Sequence, residues 1–523
     1  MKVLFVMGEV EALGIEYLSS FLKANGHDTR LLFDPRLFNY RSPDFRNEFL
    51  EKVFDLRQYL VKHAKMEKPD LIAFSVLSNE YYWARDLAKV LKDELPRASI
   101  VFGNIHPSTA ADHVLKNIWI DFVIRGEGEH ALCELADSLE QGKDFRDIKN
   151  LCYRSDGKIV KNPLRPHIAD LDSLPFPDRD LFFNIGYPFN IGQMVMASRG
   201  CSFACTFCSN NAWRKMYFGE NYMTEPSYLR KRSVDNVIKE LKWAKERYDP
   251  KLIRFNDDDL FYPEAWLKEF SKRYREEIGL PYKCFANPNS VNEETVSYLK
   301  SSGCKQVQMG IQTANPDVRK IIGRPMPNEI IKKAIQLIRE EAGITLIVDN
   351  MFGLPGEKED DYEALLKFYR ENPVDSIQCY FVKFWPGTDI LRQAVENGIL
   401  SKEMAEQLEE EPFRGDINAK MDVHPDEALP YYMLFETWNY FPRIGWLLEK
   451  LRFHYFMSRF SFNPFNLLKF IYMMVLRRTD RFQHPRHGYE LSGHRYPRVA
   501  IKWGFKRILL YARELIRMES GIV

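Results

Sequence analysis

Cys201, Cys205 and Cys208 fall within eight residues, in the run Arg199-Gly200-Cys201-Ser202-Phe203-Ala204-Cys205-Thr206-Phe207-Cys208-Ser209. With no secretory signal, thiols so crowded point to metal rather than disulfides. The spacing C-x3-C-x2-C lets three thiolates wrap one corner of a cubane iron–sulfur cluster, so that three irons have a protein ligand and the fourth stays open. Zinc would require a fourth ligand, and no nearby Cys or His supplies one; His106 and His113 belong to another predicted domain. The remaining thiols, Cys133, Cys152, Cys284, Cys304 and Cys379, sit singly among apolar neighbours and read as buried free cysteines.

A loop of this kind needs a scaffold, and the hydrophobic pattern supplies one. The cysteines follow a predicted strand, Met194–Ser198. After them come strands Leu252–Asn256, Tyr282–Ala286, Gln306–Ile311, Thr345–Phe352 and Ser376–Phe384, alternating with helices Val234–Tyr248, Glu264–Glu277, Glu293–Ser302, Glu329–Ala342 and Glu359–Glu371. Six βα repeats over 191–400 predict a partial parallel barrel with its chemistry at the carboxyl ends of the strands. Residues 1–145 predict a separate Rossmann-like, doubly wound α/β domain. Its strand-end loops, Met7–Glu11, Ser75–Asn79, Gly103–Pro107 and Arg125–Glu129, are rich in Gly, Ser and Asn, which suits close backbone approach to a bulky ligand. Residues 146–190, with Pro163, Pro166, Pro175 and Pro177, read as a linker, and 401–523 as a helical, basic domain.

The cysteine spacing, with an aromatic residue before the third cysteine, resembles the radical S-adenosylmethionine (SAM) superfamily. The resemblance implies a [4Fe–4S] cluster on Cys201, Cys205 and Cys208, with SAM on the open iron and one-electron cleavage to a 5′-deoxyadenosyl radical. It also implies that Phe207 lies near the adenine. Asp257 and Asp258, in Asn256-Asp257-Asp258-Asp259, fall where the superfamily carries residues near the methionyl amino group. Gln312, in Gly310-Ile311-Gln312-Thr313, replaces an acid usual in the superfamily.

The preceding domain resembles the cobalamin-binding class of these enzymes. The residues that carry this likeness are Ser75 and Ser78, Gly103 and Asn104, and Gly126, Glu127 and Gly128. The chain lacks D-x-H-x-x-G, so the resemblance implies a cobalamin with no protein histidine on cobalt. By resemblance the protein is a methyltransferase acting on an unactivated carbon. Two other readings stand beside it: a radical cyclase or rearranging enzyme on a hydrophobic substrate, and a non-enzymatic cobalamin or metal sensor. No side chain is assigned as catalytic.

Composition sets the remaining bounds. The 523 residues carry a net charge of +1, which gives no reason to expect a nucleic-acid partner. Residues 441–523, however, hold sixteen Lys/Arg against five Asp/Glu. These basic, aromatic residues, Phe465–Met474 among them, predict either a cap over the barrel mouth or peripheral membrane contact, and both suit a hydrophobic or lipid small-molecule substrate. His484, His487 and His494 have no paired acid and are assigned no metal. No signal peptide or apolar span is read. The expected setting is the cytoplasm, with an external electron donor of flavodoxin or ferredoxin type.

Overall fold

The structure is a computed structural model that describes residues 1–8, 10–34, 36, 55–185, 192–219, 228–410, 412, 421 and 425–458. Two sheets organise it. The first has the order β2-β1-β3-β4-β5-β6-β7, built from β1 (Lys2–Gly8), β2 (Asp28–Asp34), β3 (Leu71–Ser75), β4 (Ser99–Gly103), β5 (Phe122–Ile124), β6 (Leu151–Ser155) and β7 (Lys158–Lys161). β1 to β5 are parallel. Successive residues of β1 serve opposite cores: Val3, Phe5 and Met7 pack with helices Leu13–Ala24 and Glu129–Gln141. Leu4 and Val6 pack with helices Arg57–Glu67 and Tyr81–Glu94. A strand covered on both faces is apolar throughout, which is why these runs stand out in the sequence.

The span 146–190 is more than a linker. Its first part forms the antiparallel hairpin β6–β7, which extends the first sheet from β5. Asp156 and Gly157 both have positive φ (50° and 74°), as a two-residue turn of the twist-matched type requires. The later prolines led the composition to read as connection throughout.

The second sheet has the order β15-β14-β13-β12-β11-β8. It is built from β8 (Gln193–Val195), β11 (Ile253–Phe255), β12 (Tyr282–Ala286), β13 (Cys304–Gln312), β14 (Thr345–Phe352) and β15 (Ser376–Phe381), all parallel. Each crossover moves one strand in the same direction, which builds a six-stranded partial barrel. Val307, Met309, Leu346 and Val348 face outward into the helical layer. Asn256, Gln308, Asp349 and Tyr380 have the opposite parity and line the inner face. A short antiparallel pair, β9 (Ser198–Arg199) and β10 (Arg230–Lys231), braces the cysteine loop.

The described part of the C-terminal region covers the barrel's last strand rather than its mouth. Helix Ala428–Tyr440 puts Tyr431, Leu434 and Phe435 into the barrel core. The Asn439 side-chain oxygen accepts from Ile377 N and Ser376 Oγ, both at 3.1 Å, and so occupies part of the edge of β15. Phe465–Met474, His484, His487 and His494 lie outside the described residues. No helix among the described residues is long and apolar enough to cross a membrane.

Candidate functional site

The cysteine loop leaves the carboxyl end of β8 and is held on three sides. Beneath it, the Asp257 carboxylate accepts from Ala197 N (3.1 Å) and from the Ser198 hydroxyl. Asp257 is buried, and burial raises its pKa against the opposing pull of Lys231. Both oxygens are thus engaged in seating the loop. At its start, Gly200 has φ 86° and passes so close to Tyr228 that a Cβ would stand 2.2 Å from the Tyr228 carbonyl oxygen.

On the third side is the turn that follows helix Pro316–Ile321. Thr206 N donates to the Ile322 carbonyl at 3.1 Å. Gly323, at φ 70°, packs against Ala204 so tightly that a Cβ would lie 2.4 Å from its carbonyl oxygen. Arg324 Nη1 donates to Cys205 Sγ at 3.3 Å. Gly323→Ala therefore combines left-handed strain, worth about 1–3 kcal/mol, with a backbone clash that pushes the loop away. The expected result is a folded protein with much reduced iron loading, read by iron assay beside circular dichroism; full loading would contradict it.

Cys205 is buried, and Cys201 and Cys208 are half-buried. Burial, then the nearby Asp258 carboxylate, pushes the Cys201 thiol up to about 12 and the Cys208 thiol up to about 11. Thiols so placed become anionic when a cation replaces their protons. The other five cysteines are buried in the cores of the two domains. Three thiols on one loop, with no fourth beside them, fit a cluster that keeps one iron for another ligand.

Above the loop is a cavity of about 440 Å³ between the carboxyl edge of the first sheet and the cysteine loop. Of the residues assigned from sequence, Ser75, Gly103, Asn104, Gly126, Glu127, Gly128 and Asp258 line it. Gly103 leaves backbone bare on the side of the first domain, whereas Gly126 is covered by Tyr217, whose phenol oxygen would stand 2.1 Å from a Cβ there. Asp258, exposed to the cavity, accepts from Asn210 Nδ2 at 2.9 Å, and the desolvating cavity wall pushes its pKa up to about 6.

The other assigned residues are placed elsewhere. The Ser78 hydroxyl lies 3.3 Å from His106 Nδ1. His106 is fully buried against the Tyr81 ring, and burial pushes its pKa down to about 3. Phe207 packs with Val318, Ile322, Leu354 and Phe384. Gln312 sits at a register shift in β13 with φ 72°, its side chain folded back towards Gly310.

Glu127 has a structural task. It accepts from Arg230 Nη1 (2.8 Å), Arg199 Nη1 (3.2 Å) and Ile168 N (2.6 Å). Burial acts to raise its pKa, but the two guanidiniums outweigh it and hold the carboxyl below the usual range. Arg199 also pairs with Glu129 at 2.6 Å. Tyr217 OH accepts from Glu127 N at 2.9 Å, which ties helix Ser209–Phe218 to the first domain. Sequence reasoning missed Trp213 and Tyr217, which line the cavity. Their spacing of four on a helix just after the cysteines was the available signal. Arg324 had none, because it lies 119 residues from Cys205.

Residues 3–136 match the B12 binding domain and residues 195–369 the Radical SAM superfamily. The chain carries both domains. With them come a [4Fe–4S] cluster, SAM and cobalamin. Among similar proteins, an uncharacterised methyltransferase of Pyrococcus horikoshii is 27% identical over 419 residues, 76% of this chain and 84% of that protein. The anaerobic magnesium-protoporphyrin IX monomethyl ester cyclase of Rubrivivax gelatinosus is 25% identical, covering 75% of this chain and 70% of its own.

Two solved structures share the fold. OxsB, a cobalamin-dependent SAM radical enzyme with aqua-cobalamin and SAM bound, has a TM-score of 0.61 at 16% identity, over 100% of this chain and 81% of that one. The methyltransferase TsrM of Kitasatospora setae, with cobalamin and a [4Fe–4S] cluster bound, has a TM-score of 0.58 at 17% identity, over 75% of each.

Proposed function

We propose that this chain is a cobalamin-dependent radical SAM methyltransferase acting on an unactivated carbon. The observation that carries the reading is the cavity itself, because it sets the glycine-rich edge of the B12-binding domain opposite the cysteine loop. When bound, the cluster with SAM supplies a 5′-deoxyadenosyl radical, and cobalamin supplies the methyl group. Cys201, Cys205 and Cys208 hold the cluster, and Asp258 faces the same space as a hydrogen-bond acceptor. Gly103, Asn104 and Gly128 offer backbone to the corrin, and Gly126 gives room for the Tyr217 ring that packs beside them. The ion pairs of Glu127 and Glu129 keep the two faces together, so a radical formed between them is shielded from water. The names of the Pyrococcus and Kitasatospora proteins support methyl transfer, and that of the Rubrivivax protein supports ring formation as the second reading.

Mass spectrometry of a turnover mixture with dithionite separates the readings. Methyl transfer gives S-adenosylhomocysteine alongside 5′-deoxyadenosine. Deoxyadenosine without S-adenosylhomocysteine favours the cyclase, and neither product favours a sensor. The reductant in the cell is read as a flavodoxin- or ferredoxin-type protein, in the cytoplasm. Contact with a membrane surface rests on the basic, aromatic composition of 441–523 alone.

The substrate reading shifts away from lipid. On the barrel's inner face, Gln308 Nε2 donates to both Asp349 oxygens (2.8 and 3.0 Å) and to Gln378 Oε1 (3.3 Å), which also accepts from Tyr380 OH. Phe285, on a central strand, is 36% exposed on the same face. A polar ladder beside an uncovered ring suits a small polar substrate better than an acyl chain. Burial pushes Asp349 up to about 7, so the folded state holds a proton that the unfolded chain releases near pH 4. Stability at this group is therefore lost as pH rises between those values. Asp349→Asn is expected to raise the melting temperature at pH 8 and to leave it unchanged at pH 4; the reverse pattern would refute the assignment.

A further inference from the structure

We propose that His27, Cys133 and Asp137 form a zinc site on the first domain, away from the cavity and independent of the function proposed above. His27 Nε2, Cys133 Sγ and an Asp137 carboxylate oxygen all lie within 4.8 Å of one another. Nε2 stands 3.5 Å from Asp137 Oδ1, and Cys133 Sγ stands 4.0 Å from Asp137 Oδ2. Ligand atoms around a tetrahedral zinc ion stand roughly 3.3–3.8 Å apart, given bonds of roughly 2.0–2.3 Å. Small side-chain rotations therefore close this set on an ion.

Regular elements hold all three ligands. Cys133 and Asp137 are four residues apart on helix Glu129–Gln141 and share one face of it. His27 lies between helix Leu13–Ala24 and β2. Its backbone N donates to the Leu22 carbonyl at 3.1 Å, and Gly26 before it has φ 89°, the left-handed close common at helix ends. His27 thus stands at the amino end of β2, whereas the cavity lies at the carboxyl edge of that sheet.

The histidine itself is the second observation. Its side chain is 1% exposed, and Nε2 has no hydrogen-bond partner among the described residues. A buried ring nitrogen aimed at a thiol and a carboxylate, and bonded to neither, is costly unless an ion joins them. The other ring edge is occupied: Nδ1 lies 3.3 Å from the Met1 amino nitrogen and 3.9 Å from Glu140 Oε2. These groups turn Nε2 towards Cys133 and Asp137. Glu140 stands where an outer carboxylate commonly orients a metal-bound histidine.

One nitrogen, one sulfur and one carboxylate oxygen suit zinc, whereas magnesium and calcium take oxygen alone. Binding sends the Cys133 proton to solvent, and the thiolate and carboxylate then balance the charge of Zn2+. The Asp137 side chain is 47% exposed, so water reaches the fourth position. The ion clasps the turn before β2 to the helix whose first residue, Glu129, borders the cavity.

The test uses the full chain with its cluster reconstituted anaerobically, so that iron occupies the cysteine loop. The protein is given a molar equivalent of zinc chloride, desalted and assayed for zinc and iron, and its zinc-edge X-ray absorption is recorded. The wild type should retain about one zinc ion per chain, with a single sulfur neighbour at about 2.3 Å. Cys133→Ala should lose the ion. Asp137→Asn, a change at a half-exposed side chain that the fold tolerates, should weaken zinc binding more than about tenfold in competition with a chelator. Both variants should keep wild-type iron. Zinc absent from the wild type, or present with nitrogen and oxygen neighbours only, would be no site or an adventitious ion only, and either overturns the proposal. So does wild-type zinc affinity in Asp137→Asn, which decides the matter even if Cys133→Ala fails to fold.

Discussion

Cys205→Ala is expected to abolish iron loading and, with it, all 5′-deoxyadenosine formation, while the protein stays folded. Losing an outer partner of a metal ligand already costs roughly 10–100-fold in affinity, so losing a ligand should exceed about a hundred-fold. Cys205 is the sharpest of the three to remove because it is the most deeply set. Its neighbour Thr206 is tied by backbone bonds to Ile322 (3.1 Å) and Ile390 (3.0 Å). A water molecule or a neighbouring side chain therefore cannot easily take the vacated position, as it could at the half-exposed Cys201. The measurement is iron and sulfide content with the visible spectrum of the reconstituted protein, and circular dichroism establishes the fold. Wild-type iron in a folded Cys205→Ala protein would mean that the loop is not the cluster site.

The second large effect lies away from the chemistry. Arg179, in the segment joining the domains, is fully buried and pairs with Glu16 (2.9 Å) and Glu240 (2.8 Å), with Glu11 at 3.7 Å. Glu16 and Glu11 belong to the first domain, and Glu240 belongs to the barrel helix Val234–Tyr248, where Arg232 meets it as well. One guanidinium thus neutralises carboxylates from both domains beneath the cavity.

Arg179→Ala leaves those acids buried and short of a cation, at an expected cost of about 3–5 kcal/mol. The pH dependence has a definite sign. Burial already holds Glu16 well above the usual carboxylate range even with Arg179 present, and removing the cation raises it further. The variant keeps protons on these acids to higher pH than the wild type does, so its deficit grows with pH and is larger at about pH 8 than at about pH 5. Thermal or denaturant unfolding at the two pH values measures it. A deficit under 1 kcal/mol, or one that shrinks with rising pH, would show that the network does not hold the domains together.

Both predictions turn on how local a signal is. Strands β1, β3, β4, β12 and β14 could be read within a residue or so, because each is covered on at least one face by helices and must be apolar there. The hairpin β6–β7 was hidden because Asp156-Gly157 is a turn signal in a stretch dominated by later prolines, and its strands are short. Asp257 and Asp258 are adjacent and looked alike in sequence. The fold gave them different tasks, since neighbouring residues after a strand point opposite ways, one beneath the loop and one into the cavity.

Glu127 looked like a ligand-binding loop residue, yet its carboxylate is occupied by Arg199 and Arg230 from the other domain. Phe207, Ser78 and Gln312 likewise have their own packing or hydrogen-bond partners, which a linear reading cannot supply.

By itself, then, the sequence determined the two α/β units, the number and spacing of the cysteines and the absence of a fourth ligand among their neighbours. Those features rest on contacts within a few residues or on periodicity along one element. Only the tertiary structure decided which loop edges face each other across the cavity, that Arg324 reaches the Cys205 sulfur, and that Arg179 joins acids from two domains. Such contacts close over 61 to 163 residues, and a charge or a sulfur finds its partner by shape and burial, neither of which leaves a pattern in sequence.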